Sequence, residues 1–476
     1  MGRFGELRRS SPLALLVGLA AASVGIIYGY DLSNIAGALL FIEREFGLSE
    51  AQQEMVATAT VIGEIAGAAA GGWLANTIGR KRSMVAVSIG YAAFALLGAA
   101  AVSVPMLTVA RLLLGITIGV SVVVVPVFVA ESAPAAARGA LLVTYGVATV
   151  LGIIAGYLCA YLLAGAGNWR AMLGLAAVPA VLVTWVLLRV PDTARWYLLK
   201  GRLDDARATL RRIEPGADAE RELTEIGRTL REEQQGGVGV LREMLRRPYL
   251  RATLFVVTLG FFIQITGINA IVYYSPRLFA MMGFEGDFAL LILPALVQVA
   301  ALAAMLISLT LIDRVGRRPI LLSGIATMVA ANLLLVAVFA AGDVFGDALA
   351  ALKFGGVLLF TVGYTFGFGS LVWVYAGESL PSRMRSMGSS AMLTSDLVAN
   401  AIVAAVFLTM LTSLGGAGTF AVFGGLAALS LAFVYRYAPE TKGRQLEDIR
   451  HFWENGGRWP DDELAVGTDL DSSTCR

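Results

Sequence analysis

Twelve runs of apolar residues punctuate this chain, each close to the length of about 20 residues that carries a helix across the hydrocarbon core of a bilayer. They fall at roughly residues 12–34, 54–76, 83–103, 106–129, 139–164, 170–190, 251–281, 288–312, 319–341, 349–376, 386–412 and 416–437. In lipid every backbone N–H and C=O must be satisfied within the segment, and helices do this. The predicted fold class is therefore an all-α membrane bundle. Composition agrees: 57% of residues are hydrophobic and 15% are charged, whereas a soluble domain carries about 25% charged residues.

The runs fall into two related halves. Asn76-Thr77-Ile78-Gly79-Arg80-Lys81-Arg82 follows the second span, and Asp313-Arg314-Val315-Gly316-Arg317-Arg318 follows the eighth. A second pair comes after each: Glu131 with Arg138-Gly139, and Glu378 with Arg385, both seven residues apart. The first pair is offset by 237 positions and the second by 247. Repeated halves of apolar spans are the signature of a secondary transporter, with its substrate site between the halves. The expected organisation is a six-helix half at 1–190, a cytoplasmic helical linker at 191–250, a second six-helix half at 251–438 and a cytoplasmic tail at 439–476.

Charge sets the sidedness. Arg80, Lys81, Arg82, Arg138, Arg314, Arg317, Arg318, Arg383 and Arg385 fall in alternate loops, on the side of the N-terminal Arg3, Arg8 and Arg9. The opposite loops hold Glu43, Glu45, Glu50, Asp287, Asp343 and Asp347 against few cations. The positive-inside rule then puts both termini and the central loop in the cytoplasm. In 191–250, the stretches 203–213 and 219–230 mix charged and apolar residues at helical spacing, which predicts amphipathic helices. Acids alternate with their arginines, so nucleic acid is not an expected partner. Cys159 and Cys475 suggest no disulfide framework, and the one histidine, His451, lies in the tail, away from any intramembrane proton path. No Ser/His/Asp set, metal cluster or Gly-rich phosphate loop is seen in the sequence, so neither an enzyme nor a cofactor or metal is expected. The acidic stretch Asp461–Asp471 is expected to be disordered.

Specific residues sharpen this. Gly29-Tyr30-Asp31, the stretch from Gly72 to Arg82, Arg111-Leu112-Leu113-Leu114-Gly115, and Glu131 with Arg138-Gly139 occur in the first half. Pro191-Asp192-Thr193-Ala194-Arg195-Trp196 opens the linker. Gln264-Ile265-Thr266-Gly267-Ile268-Asn269, Tyr273-Tyr274-Ser275-Pro276, Val372-Trp373 with Glu378, and Pro439-Glu440-Thr441-Lys442-Gly443 follow in order. Together they make residues 15–455 resemble the sugar porter family of the major facilitator superfamily. The resemblance implies proton-coupled symport of a sugar or polyol by alternating access. The expected location is a plasma membrane, the bacterial inner membrane, with a small solute, protons and the lipid bilayer as partners and a monomer as the default state.

Ionisable groups within spans are costly and functional by default, at about 2.5–3.5 kcal/mol each on insertion scales. Asp31, Glu64, Arg111 and Asp396 are the four that stand out. By the resemblance, Asp31 and Arg111 form the proton-coupling pair. A carboxylate beside a guanidinium stays charged, and separating the two favours proton uptake. A permanent structural pair is the plainer reading. Glu64 is open between a second protonatable site and a neutral, hydrogen-bonded acid in a Gly-rich packing seam.

The resemblance also assigns solute contacts to Tyr28, Gln264, Asn269, Tyr273, Tyr274, Trp373, Asp396 and Asn400. It assigns a cytoplasmic gate to Asn76, Arg80, Glu131, Arg138, Asp313, Arg317, Glu378 and Arg385. Asn76 stands where an acid is common, so one gate ion pair is expected to be a neutral hydrogen bond. Departures occur where family polar positions become Gly146, Ile263, Ala301 and Leu397, and where Asp396 adds a carboxylate. Tyr28, Tyr145, Thr149 and Gln298 are candidate replacements. The departures leave open a less hydroxylated or amine-bearing solute, including drug or natural-product export; a facilitative uniporter is the remaining alternative, and Asp31 is what separates it from a symporter. A nutrient sensor is disfavoured by a tail of only 38 residues.

Overall fold

The structure is a computed structural model that describes residues 12–132, 135–213, 218–247, 249–346, 348–380, 384–444, 452–455 and 459. Among them, twelve helices or helix pairs are long and apolar enough to cross a membrane, and there is no strand. The first five spans are Pro12–Phe46, Glu50–Ile78, Arg80–Ala99, Val104–Ser132 and Ala135–Ala164; the sixth is Trp169–Leu175 with Ala177–Leu187. The seventh is Leu250–Ile265 with Ile268–Met281, the eighth is Leu293–Val315 behind a π turn at Phe288–Ile292, and the ninth is Arg317–Ala341. The tenth runs Ala348–Tyr364, a π turn at Thr365–Gly369, then Ser370–Glu378; the eleventh and twelfth are Arg385–Ser413 and Gly415–Tyr437.

The duplication read from the loops is also a duplication of packing. Span 1 packs on 5, 2 on 4 and 3 on 6; in the second half 7 packs on 11, 8 on 10 and 9 on 12. The halves meet through 2 with 11, 5 with 8 and 1 with 7. Small residues allow some of these contacts at backbone range. A Cβ on Gly63 would lie 2.1 Å from the Leu112 carbonyl, and one on Gly115 would lie 2.0 Å from that of Thr60. Spans 2 and 4 therefore touch main chain to main chain, the geometry that small-residue seams permit in lipid.

Two glycines turn the chain at equivalent places. Gly79 (φ +107°) separates spans 2 and 3, and Gly316 (φ +112°) separates spans 8 and 9. Glycine adopts such positive φ values without the strain a Cβ would bring. The missing side chain also makes room for an acid, since a Cβ would lie 2.1 Å from Asp192 Oδ2 and 2.7 Å from Glu440 Oε2, respectively.

Three features differ from a reading of uninterrupted spans. The first helix continues past residue 34 to Phe46, because its polar end is held by partners from other spans. The seventh span breaks at Thr266-Gly267, where Gly267 takes φ +100°, and bends again at Tyr274 ahead of Pro276. The tenth span has no proline after Gly369, and the π turn at Thr365–Gly369 interrupts its α-helical pattern instead.

Between the halves lie the helices Ala194–Leu199, Leu203–Ile213 and Ala219–Met244. They bury a small core of Ala194, Ala206, Leu210, Ala219 and Leu223, and Arg207 pairs with Glu220 on their surface. That guanidinium holds the Glu220 carboxyl below its ordinary range by hydrogen bonding. In the tail, Trp453 is buried and donates from Nε1 to the Ser379 carbonyl at 2.9 Å. Arg3, Arg8, Arg9, Arg383, His451, Cys475 and the stretch 461–471 lie outside the described residues.

Candidate functional site

Arg111 of span 4 donates from Nη1 to Asp31 Oδ1 of span 1 at 2.6 Å, and both side chains are nearly fully buried. An ion pair removed from water persists only when its geometry is good, and losing one partner costs about 3–5 kcal/mol. Arg111 Nε and Nη2 are also buried and have no acceptor among the described residues. Next to Asp31, Asn34 donates to the Met172 carbonyl at 2.8 Å, tying the first span to the sixth.

A polar cluster lies in the buried interior between the halves. Tyr28 lies near Glu64, Asp396, Tyr273 and Tyr145. The Gln264 amide lies against the Asp396 carboxyl, and Asn400 Nδ2 approaches the Tyr273 hydroxyl at 3.4 Å. Gln264 Oε1, Asn400 Oδ1 and the Tyr145 hydroxyl are buried without partners among the described residues. A buried polar atom left unpaired costs about 1–3 kcal/mol, so several in one place need an explanation such as a ligand. The hydroxyls and amides here are of the kind that a polyhydroxy solute would pair.

The structure brings together Tyr28, Gln264, Tyr273, Asp396 and Asn400. Of the other three expected contacts, Tyr274 meets the cluster through an edge-on contact with the Tyr273 ring at 6.5 Å, while its ring stacks on Phe407 at 5.6 Å and its hydroxyl donates to the Ala404 carbonyl at 2.8 Å. Trp373 is half exposed, and no hydrogen bond or ring contact joins it to the cluster among the described residues. Asn269, just past the break in the seventh span, is partly buried and likewise unjoined. Of the candidate replacements, Gln298 is buried, whereas Thr149 spends its hydroxyl on the Tyr145 carbonyl.

At the basic end the same device is built twice. Asp192 Oδ1 accepts from the backbone N–H groups of Arg80 and Lys81 at 3.0 and 3.3 Å. The Glu440 carboxylate accepts from those of Arg317 and Arg318 at 3.1 and 3.0 Å. Each acid thus meets the free N–H groups at the start of a helix, the place where the dipole favours an anion. The following threonines close each unit: Thr193 Oγ1 donates to Glu131 at 2.6 Å and Thr441 Oγ1 to Glu378 at 2.5 Å. Arg80 then bonds Glu131 at 3.0 Å and Arg317 bonds Glu378 at 3.4 Å.

Each of these two ion pairs lies within its own half. Asp313 pairs with Arg317 at 3.3 Å, but Asn76 is exposed and makes no equivalent bond to Arg80 among the described residues. Arg80 donates instead to the Ala75 carbonyl at 3.2 Å and to Glu131, so no neutral bond replaces the missing acid. Arg385 Nε and Nη2 are buried and unpartnered among the described residues. The Arg138 side chain lies outside the described residues.

The opposite end is clamped, by residues that sequence reading did not assign. Arg277 bonds Glu43 at 2.6 Å, and Thr412 donates to Glu50 at 2.8 Å. The backbone N–H and hydroxyl of Thr409 both donate to Glu54 at 2.8 Å. Tyr157 donates to the Val272 carbonyl at 2.7 Å. This last bond has a covalent origin: Pro276 has no N–H to offer the carbonyl four residues back. The only signal in the sequence was the spacing of Glu50 and Glu54 on one helical face. The molecule is therefore closed at the end away from the basic loops.

Fold and site together define a multi-pass membrane transporter built from two six-helix repeats. Residues 17–453 match the model of the sugar (and other) transporter family, and the chain belongs to that family. It is 34% identical over 443 residues to the galactose-proton symporter of Escherichia coli strain K12, covering 93% of this chain and 95% of that one. It is 34% identical over 450 residues to the arabinose-proton symporter of the same strain, covering 93% and 94%. Polyol transporter 5 of Arabidopsis thaliana is 30% identical over 478 residues, covering 94% and 87%. The inward open structure of the xylose transporter XylE from E. coli superposes with TM-score 0.78 at 24% identity, over 92% of this chain and 99% of that one. XylE belongs to the major facilitator superfamily, and the likeness assigns that fold to this chain.

Proposed function

We propose that this protein is a proton-coupled symporter of a sugar or polyol, working by alternating access between the units 1–190 and 251–438. The 191–250 linker and 439–476 tail lie on the cytoplasmic side. The observation that carries the reading is the buried Asp31–Arg111 pair at 2.6 Å. A charge held this deep, beside a polar cluster between the halves, is poised to take up a proton when the helices part. Each proton moved down a membrane potential supplies about 2.3 kcal/mol per 100 mV, which can drive solute accumulation. The relatives, galactose-proton and arabinose-proton symporters and a polyol transporter, support the substrate class.

In this reading the basic loops and both termini face the cytoplasm of a bacterial cell, with the protein in the inner membrane. The clamp of Glu43, Glu50, Glu54 and Tyr157 then closes the periplasmic side. Tyr28, Gln264, Tyr273, Asp396 and Asn400 contact the solute, with Asn269, Tyr274 and Trp373 joining as the halves move. Asn76, Arg80, Glu131, Arg138, Asp313, Arg317, Glu378 and Arg385 bias the cytoplasmic gate. One chain supplies both halves, so a monomer suffices. A second reading, an amine-bearing solute, is favoured by the Asp396 carboxyl in the cluster.

Reconstitution into liposomes tests the function. Under an imposed inward proton gradient, wild type is expected to concentrate a sugar or polyol, and Asp31→Asn to lose concentration while retaining exchange. Accumulation by Asp31→Asn at the wild-type level would remove the coupling argument.

A further inference from the structure

Glu64 is 1% exposed, and neither of its carboxyl oxygens meets a hydrogen-bond donor among the described residues. An ionised Glu64 would therefore have no hydrogen-bond donor here among the described residues. Arg111 spends Nη1 on Asp31 and has buried Nε and Nη2 atoms without acceptors among the described residues. Two unmatched donors and two unmatched acceptors thus sit on spans 2 and 4, whose backbones touch: a Cβ on Gly119 would lie 2.1 Å from the Glu64 carbonyl. Glu64 also lies within the electrostatic reach of Asp31, Arg111 and Asp396.

The groups facing this place come from every side. Asp31, Tyr28 and Tyr30 come from the first span and Tyr91 from the third. Arg111 comes from the fourth, Tyr145 from the fifth, Tyr273 from the seventh and Asp396 from the eleventh. Arg111 is the cation in that set, and it is already engaged. An ionised carboxylate with no donor and no cation in such surroundings costs several kcal/mol.

We propose that Glu64 is a second proton-binding carboxyl of the coupling site, and that the Arg111 guanidinium alternates between Asp31 and Glu64 as a proton passes from one to the other. In the arrangement seen, Arg111 holds ionised Asp31 and the proton is on Glu64. In the other, Arg111 holds ionised Glu64 and the proton is on Asp31. Two carboxyls, one guanidinium and one proton sum to zero charge both times, and departure of the proton leaves one net negative charge. Arg111 Nε and Nη2 gain acceptors in the second arrangement, and Glu64 gains donors. The proposal rests on the symport reading and adds a residue that the Asp31–Arg111 pair alone does not require.

The test compares wild type, Glu64→Gln and Glu64→Asp in liposomes, using galactose, arabinose and a polyol as solutes. Proton-driven accumulation is measured across a series of external pH values, beside counterflow of labelled solute at equal pH. Glu64→Gln is expected to lower the accumulation ratio about tenfold, within the usual size of a coupling effect, and far more than counterflow. It should also flatten the pH profile, and Glu64→Asp should restore part of both. Wild-type accumulation and pH profile in Glu64→Gln would overturn the proposal, as would equal loss of accumulation and counterflow. A wild type that concentrates none of the solutes on a proton gradient removes the symport reading and this proposal with it. An unaffected Glu64→Gln beside a working wild type removes this proposal alone. Should Glu64→Gln fail to fold, infrared difference spectra on protonation decide. A carboxylic acid band that moves between wild type and Glu64→Asp supports the exchange, and identical spectra refute it.

Discussion

Tyr157→Phe removes one oxygen atom and tests how the closed end is held. Tyr157 is fully buried in the fifth span, and its hydroxyl reaches across the interface to Val272 of the seventh at 2.7 Å. Pro276 has left that carbonyl without its helical donor, and Val272 is itself buried. Phenylalanine keeps the packing and strands a buried acceptor, at a cost of about 1–3 kcal/mol. The bond joins the two halves, so the cost falls on the arrangement in which they are packed at this end. Each 1.4 kcal/mol is about a tenfold change in an equilibrium, so the open form should gain about tenfold in population.

A cysteine at Leu40 reads that change, because Leu40 is buried and lines a small cavity at the clamp with Glu43, Tyr274 and Arg277. The background would carry Cys159→Ala and Cys475→Ala. A membrane-impermeant maleimide should label Leu40→Cys about tenfold faster when Tyr157→Phe is added, in line with the population shift. An unchanged labelling rate would refute the reasoning, even if thermal stability fell. The hydroxyl would then be stabilising both arrangements equally.

Other expectations follow from the same geometry. Gly79→Ala puts a methyl group into the space held by Asp192 and forces a positive φ on alanine, so folded yield should fall sharply. Asp192→Asn keeps an acceptor there and should lose only about 1 kcal/mol, measured by thermal unfolding in detergent. Gln264→Ala should weaken solute binding about tenfold in a thermal-shift titration, the worth of a hydrogen bond to a buried partner. Asp396→Asn separates the substrate classes. Retained stabilisation by sugars or polyols supports a neutral solute, and loss of stabilisation by amines alone supports a cationic one.

Much of the architecture was legible in the residue order. Apolar length sets the spans, because the bilayer offers no other partner to a backbone. The paired Gly-Arg turns and Glu-Arg spacings exposed the duplication. Asp31, Arg111, Glu64 and Asp396 stood out because a charge inside an apolar run is too costly to be accidental. Interruptions were less legible: the seventh span reads as continuous although it breaks at Gly267 and bends at Tyr274, and the π turn at Thr365–Gly369 was not foreseen.

What the sequence determined by itself is therefore what depends on neighbours along the chain: the number and placing of the spans, the repeat, the polarity of the loops and the few intramembrane charges. The tertiary structure alone decided which distant groups meet. It gave Arg80 to Glu131 and not to Asn76, and it set Gln264 against Asp396. It closed the molecule through Glu54 with Thr409 and Tyr157 with Val272, and left Glu64 without a partner among the described residues, beside a half-used Arg111. The physical reason is that a hydrogen bond forms or fails over a few tenths of an ångström. Such distances between helices remote in sequence are set by the packing of all twelve spans together.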